Sequence, residues 1–98
     1  MAKLDLEEKY IEFIKNTVGS VLDNAEVFVF GSRVQGLALK YSDVDIALDT
    51  KSPIDITDIL KLKSIFRNST FPYKVDIVDL NSADNNFIKI IENDLYKI

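Results

Sequence analysis

The sequence predicts a layered α/β domain with helices packed on a small sheet, in the order α-β-α-β-α-β-α. Short runs of β-branched and aromatic residues at 27–30, 44–48 and 73–80 read as strands. The segments around them repeat apolar residues at helical spacing, and glycine, proline and Asx residues punctuate the boundaries.

Helix 1 is predicted to start at Asp5, whose carboxylate is placed to cap with Glu8 three residues on. It carries Tyr10, Ile11, Ile14 and Val18 on one face, and Gly19 is a natural stop. After the polar turn Asp23-Asn24, Val27-Phe28-Val29-Phe30 forms a buried strand ending at Gly31. Ser32 is the candidate N-cap of a short helix over 33–39, in which Gly36 costs roughly 1 kcal/mol relative to Ala and so calls for a packing or backbone-approach reason. The turn Lys40-Tyr41-Ser42 leads into the strand at 44–48. Pro53 and Asp55 introduce a helix with the stripe Ile59, Leu62, Ile65 and Phe66. Pro72 breaks it before the third strand. Ser82 is then expected to cap a last helix that carries Phe87, Ile88, Ile91 and Leu95 and runs to the C-terminus.

Composition narrows the chemistry. Ninety-eight residues, 47% of them apolar, suit a single domain over 1–98 that buries roughly two-thirds of its unfolded surface. With 12 Lys and Arg against 16 Asp and Glu, the formal charge of −4 argues against strong binding to a nucleic-acid backbone. Any phosphate the chain handles is expected to arrive with a cation. No apolar run approaches the ~20 residues of a membrane-spanning helix, and the N-terminus is too acidic for a secretory signal, so the expected location is cytoplasmic. Without cysteine or histidine, chemistry must come from carboxylates, hydroxyls, Lys, Arg, backbone dipoles or a hard cation.

Three acids stand out. Asp43 and Asp45 lie two apart beside an apolar run, so their side chains project to one face. Like charges so close raise each other's pKa, and a divalent cation is the usual reason to place them together. A turn cap beside a solvent-facing edge residue accounts for the pair equally well. Asp76 interrupts a second apolar strand, Val75-Asp76-Ile77-Val78, where an isolated buried carboxylate would be costly and needs a partner. Asp79 falls on the other face by strand alternation and reads as a turn or capping residue. Gly31-Ser32 lies where a strand gives way to a helix, a place where backbone N–H groups can receive phosphate and also an ordinary strand-to-helix turn. Arg33 suits a phosphate, a carboxylate or a structural pairing, and it joins Gly31 and Ser32 as a candidate nucleotide-binding residue.

Gly31-Ser32, the intervening residues 33–42, then Asp43-Val44-Asp45, with Val75-Asp76-Ile77-Val78-Asp79 downstream, resemble the polymerase-β-type nucleotidyltransferases in their minimal, antitoxin-like (MNT) branch. The resemblance runs from the first helix to residue 96. It implies a nucleotidyltransferase fold, with a mixed sheet and helices on one side, ATP or another nucleoside triphosphate as donor, and two Mg²⁺ ions. Gly31 and Ser32 would hold the β- and γ-phosphates, Asp43 and Asp45 the metals, and Asp76 the metal nearer the nucleophile, with a part in deprotonating the attacking hydroxyl. Larger members add a helical domain that helps bind base and acceptor, and these 98 residues include none, so a partner is expected to supply that surface. In the minimal branch this is a small helical HEPN toxin, adenylylated on tyrosine by its antitoxin. Phe71, Tyr73, Ile88, Ile91, Leu95 and Ile98 are the apolar candidates for a hetero-oligomeric interface, with Ile88 and Ile91 favoured as core. Two other readings stand beside this one: a binding module that neutralises its partner by steric contact, and a nucleotide sensor without turnover.

Overall fold

Burial decides the order of the strands. In the computed structural model, which describes residues 4–98, strand β2 (Val44–Asp49) carries four fully covered residues, Val44, Ile46, Ala47 and Leu48, and therefore belongs in the sheet interior. Strand β1 (Glu26–Phe30) pairs with it antiparallel and strand β3 (Val75–Asp79) parallel, and with β4 (Tyr96–Lys97) the mixed order is β3-β2-β1-β4. β3 forms one edge and is correspondingly more exposed.

One face of the sheet presents Val27, Val29, Val44, Ile46 and Leu48 to helices α1 (Glu8–Val21) and α3 (Ile56–Arg67), whose Ile14, Val18, Leu62 and Phe66 complete the main core. The opposite face presents Phe30 and Ala47 to Ile91 of helix α4 (Asn85–Ile91), with Phe28, Val78 and Leu95 around them. The expectation of helices on one side is thus corrected: the second face carries a smaller cover, because Phe28, Phe30 and Val78 also need burial.

Several boundaries move for local reasons. Helix α1 begins at Glu8, because the Asp5 backbone is engaged elsewhere: its N–H donates to Arg33 O at 2.8 Å. Gly19 does not stop the helix, which continues to Val21 so that Val21 and Leu22 can pack on the core. Helix α2 is only Ser32–Gln35; Gly31 is its N-cap residue, and Gly36 is its left-handed C-cap at φ 76°, which is the backbone reason for that glycine. Asp55 caps α3 as expected, accepting from Thr57 N–H. Asp84, and not Ser82, caps α4, since Ser82 Oγ donates to Asp79 Oδ2 at 2.6 Å.

The last helix stops at Ile91. A 3-10 turn (Glu92–Asp94) follows, and then β4 (Tyr96–Lys97), which pairs antiparallel with the free edge of β1. Ile98 N–H extends this pairing to Val27 O. Covering that edge satisfies backbone groups that would otherwise template association.

The apolar interface candidates are mostly core. Ile91 is buried, Phe71 and Tyr73 join Tyr10, Phe13 and Phe66 in a web of ring contacts 5.4–5.9 Å apart, and Ile88, Leu95 and Ile98 are half-buried. Exposed apolar residues lie instead on the loop after α2, at Leu37, Leu39 and Tyr41, and at Ile56, Leu60 and Ile90. No helix among the described residues is long and apolar enough to cross a membrane.

Deleting residues 95–98 should uncover β1. We expect a lower thermal midpoint together with concentration-dependent association, measured by calorimetry and light scattering; a monodisperse, equally stable truncation would show that β4 does not protect the edge.

Candidate active site

The pairing registers build the site. Phe30 of β1 lies opposite Asp45 of β2, and Asp45 lies opposite Asp76 of β3, so these three residues form one row across the sheet. Residues directly opposite share a face, with Cβ atoms roughly 5 Å apart. The row therefore brings the two acids together and places the turn after Phe30, Gly31-Ser32, beside them. Asp43, two residues before Asp45, completes the acidic group at this end of the sheet.

Gly31 is fixed by two constraints. Its φ of 80° with ψ of −151° is a region open essentially to glycine alone. A Cβ there would collide with Asp45 Oδ2 and lie 3.2 Å from its Cγ. The missing side chain thus makes room for the Asp45 carboxylate. The first internal bonds of α2 run from Val34 and Gln35 N–H to Gly31 O at 3.0 Å, which leaves the N–H groups of Ser32 and Arg33 ahead of the helical ladder.

The Arg33 side chain takes the structural pairing. The side chain is only 4% exposed and turns inward: Nη1 donates to Asp5 O at 3.1 Å, Nη2 donates to Ser42 O at 2.8 Å, and the guanidinium sits 4.1 Å from the centre of the Tyr73 ring. It links the phosphate-turn candidate to the residue before Asp43 and to the entry of β3. On the other side of Asp43, Val44 N–H donates to Lys74 O at 2.9 Å, and Ser42 closes its own turn through Leu39 N–H to Ser42 Oγ at 2.7 Å. Asp43 is thus held from both directions. The sequence offers one signal for this role, an Arg immediately after a turn, and that signal does not name its partners.

The electrostatics separate these acids from the structural ones. Burial first, then the Asp76 and Asp43 charges, push the Asp45 carboxyl up to about 6. Among the described residues no Lys or Arg forms an ion pair with Asp43, Asp45 or Asp76. Asp76 is exposed, which corrects the expectation of a buried carboxylate: β3 is an edge strand, and the need for a partner comes from Asp45 opposite. Asp79 behaves as expected of a turn residue. Burial raises its pKa, but hydrogen bonds from Ser82 Oγ, Ile54 N–H and Asn81 N–H outweigh this and hold it below the usual carboxylate range.

An all-oxygen, anionic and partly open donor set suits a hard divalent cation. Among the described residues no group of three or more acids is placed to hold a metal ion.

The raised Asp45 pKa has a definite sign. Between about 4 and 6 the metal-free folded chain holds a proton that the unfolded chain has lost, so stability should fall as pH rises through that window. Asp45→Asn should remove that pH dependence and stabilise the chelator-treated protein at pH 7 by about 1 kcal/mol after solvent screening, read by urea unfolding at several pH values. Gly31→Ala should cost about 2 kcal/mol or more, measured the same way, because strain and the Asp45 contact add.

Comparison with known proteins places this geometry. A probable protein adenylyltransferase, MntA, from Haemophilus influenzae is 34% identical over 90 residues, covering 92% of this chain and 79% of its own. A crystal structure of a toxin–antitoxin with AMP-PNP contains a chain 25% identical, with a TM-score of 0.77, 94% of this chain covered and 72% of the other. A chain from a complex of tri-AMPylated Shewanella oneidensis HEPN toxin with MNT antitoxin shares the fold at a TM-score of 0.73 and 20% identity, covering 94% of this chain and 71% of the other. The family described as polymerase beta, nucleotidyltransferase matches residues 8–96. With the strand-end acids opposite the glycine turn and a match spanning almost its whole length, this chain belongs to the polymerase-β nucleotidyltransferase family.

Proposed function

We propose that this nucleotidyltransferase moves the adenylyl group of Mg²⁺-bound ATP onto a tyrosine hydroxyl of a partner protein, and that the partner is a small helical HEPN toxin which it restrains as an antitoxin. The observation that carries the reading is the row Phe30–Asp45–Asp76, which sets the acids and the Gly31-Ser32 turn side by side. The relative from Haemophilus influenzae, a probable protein adenylyltransferase, and the toxin–antitoxin solved with AMP-PNP support donor and setting. Leu37, Leu39 and Tyr41, all at least two-thirds exposed on the loop leading to Asp43, support a partner seated beside the site.

Each residue has a role in this reaction. The N–H groups of Ser32 and Arg33, with the Ser32 hydroxyl, receive the β- and γ-phosphates. Asp43, Asp45 and Asp76 hold the cations, which when bound supply positive charge against the triphosphate and favour the ionised acceptor. Asp76, the exposed acid, faces the incoming hydroxyl and takes its proton. The hydroxyl oxygen forms a bond to the α-phosphorus, the bond from that phosphorus to the bridging oxygen breaks, and pyrophosphate departs on the Gly31 side. The Arg33 side chain touches no reactant and acts by keeping Ser42, and through it Asp43, in place.

Asp76→Asn preserves volume and removes one metal ligand. Transfer of label from α-labelled ATP to the partner should fall by about 10²-fold or more while the complex still forms, checked by label incorporation and by co-elution. Unchanged neutralisation of the toxin by this variant would instead establish a steric antitoxin.

A further inference from the structure

One cavity of the described surface is lined by three cations and reaches Asp76. It encloses about 560 Å³ at the outer edge of the sheet and runs from Asp76 past Phe71 and Tyr73 to Lys63, Arg67 and Lys74. Lys63 and Arg67 lie four apart on α3 and so share a side of that helix, and Lys74 leads into β3. All three are exposed, and none forms an ion pair with a described acid. In a chain of net charge −4, three uncompensated cations around one concavity are a local reversal of the field.

The cavity wraps the β3 edge, between α3 on one face of the sheet and Asp76 of the acidic row on the other. In-line displacement requires the attacking oxygen and the departing pyrophosphate on opposite sides of the α-phosphorus. The Gly31-Ser32 turn stands at the end of β1, the acids lie on β2 and β3, and the cavity opens at the far edge beyond Asp76. A donor whose phosphates rest on the turn leaves this cavity to the attacking group. Among the described residues β3 pairs only with β2, so its outer edge presents N–H and C=O groups to an extended segment.

We infer that this cavity is the acceptor subsite and that it recognises an acidic segment of the acceptor protein, with the tyrosine hydroxyl delivered to Asp76 and flanking Asp or Glu side chains bound by Lys63, Arg67 and Lys74. The inference rests on the adenylyl-transfer reading for the role of Asp76. Its binding part stands on charge complementarity alone. The half-buried Phe71 and Tyr73 give the cavity an apolar wall.

Two fluorescein-labelled peptides, one tyrosine flanked by glutamates and one flanked by lysines, test it by fluorescence anisotropy at near-physiological salt with Mg²⁺ and AMP-PNP. The glutamate peptide should bind at least about tenfold more tightly than the lysine peptide. The combined Lys63→Glu, Arg67→Glu, Lys74→Glu variant should abolish that preference while retaining wild-type affinity for AMP-PNP. A control carrying Lys15→Glu, Lys61→Glu and Lys89→Glu, with the same charge change elsewhere, should keep the preference. Equal binding of the two peptides, no binding of either, or an equal effect of the control variant would overturn the subsite. Loss of AMP-PNP affinity in the first variant would assign the cavity to the donor instead. A second arm with α-labelled ATP separates the two claims: selective binding without label transfer to tyrosine leaves the subsite standing and rejects the adenylyl-transfer reading.

Discussion

The structure depends on an unfavourable juxtaposition: Asp45 and Asp76 stand opposite one another on paired parallel strands, with Asp43 close by and no cation from the described residues to offset them. The same two strands show that this is a property of one end only. At the other end Asp49 is held below the usual carboxylate range, foremost by a hydrogen bond from Lys51 N–H, with Asn81 and the Lys51 ammonium adding to it. Asp79 is held down by three donors. Identical side chains on identical strands are thus saturated with hydrogen bonds at one end and left electrostatically unsatisfied at the other. Folding alone gives no reason for that asymmetry; a ligand that brings positive charge does.

Holding such a group open requires rigidity around it. Arg33 supplies much of this by placing a buried guanidinium among two backbone carbonyls and an aromatic ring, so that the turn after β1, the loop before β2 and the entry of β3 move as one body. A Lys could not span these partners, because its ammonium lacks the planar fork that meets two carbonyls at once. Gly31 completes the arrangement by letting the turn approach within contact of Asp45. The chemistry-bearing residues are few, and the neighbours that fix their positions are drawn from every strand entering this end of the sheet.

Much of this was legible in the residues themselves. Period-two and helical patterns located the strands β1, β2 and β3 and the helices α1 and α3, because each buries an apolar face large enough to leave a trace. The acid pair, the third acid and the Gly-Ser turn were legible because their residue types are costly where they stand. The partners of Arg33 were not legible because they lie 9 and 28 residues away and are backbone carbonyls, which any residue supplies. β4 was hidden because only two residues pair, too few to show alternation against a preceding helical repeat. The sequence also overstated the burial of Asp76, since local pattern does not reveal that β3 is an edge strand.

In the proposed reaction these acids form an incomplete cation site which a nucleoside triphosphate completes. Electron paramagnetic resonance titration of Mn²⁺ into the chelator-treated protein, with and without AMP-PNP, tests it most directly. Mn²⁺ should bind weakly to the protein alone, about tenfold or more tightly with AMP-PNP beyond the nucleotide's own affinity, and not at all to Asp45→Asn. Mn²⁺ binding that is indifferent to both nucleotide and Asp45 would contradict it.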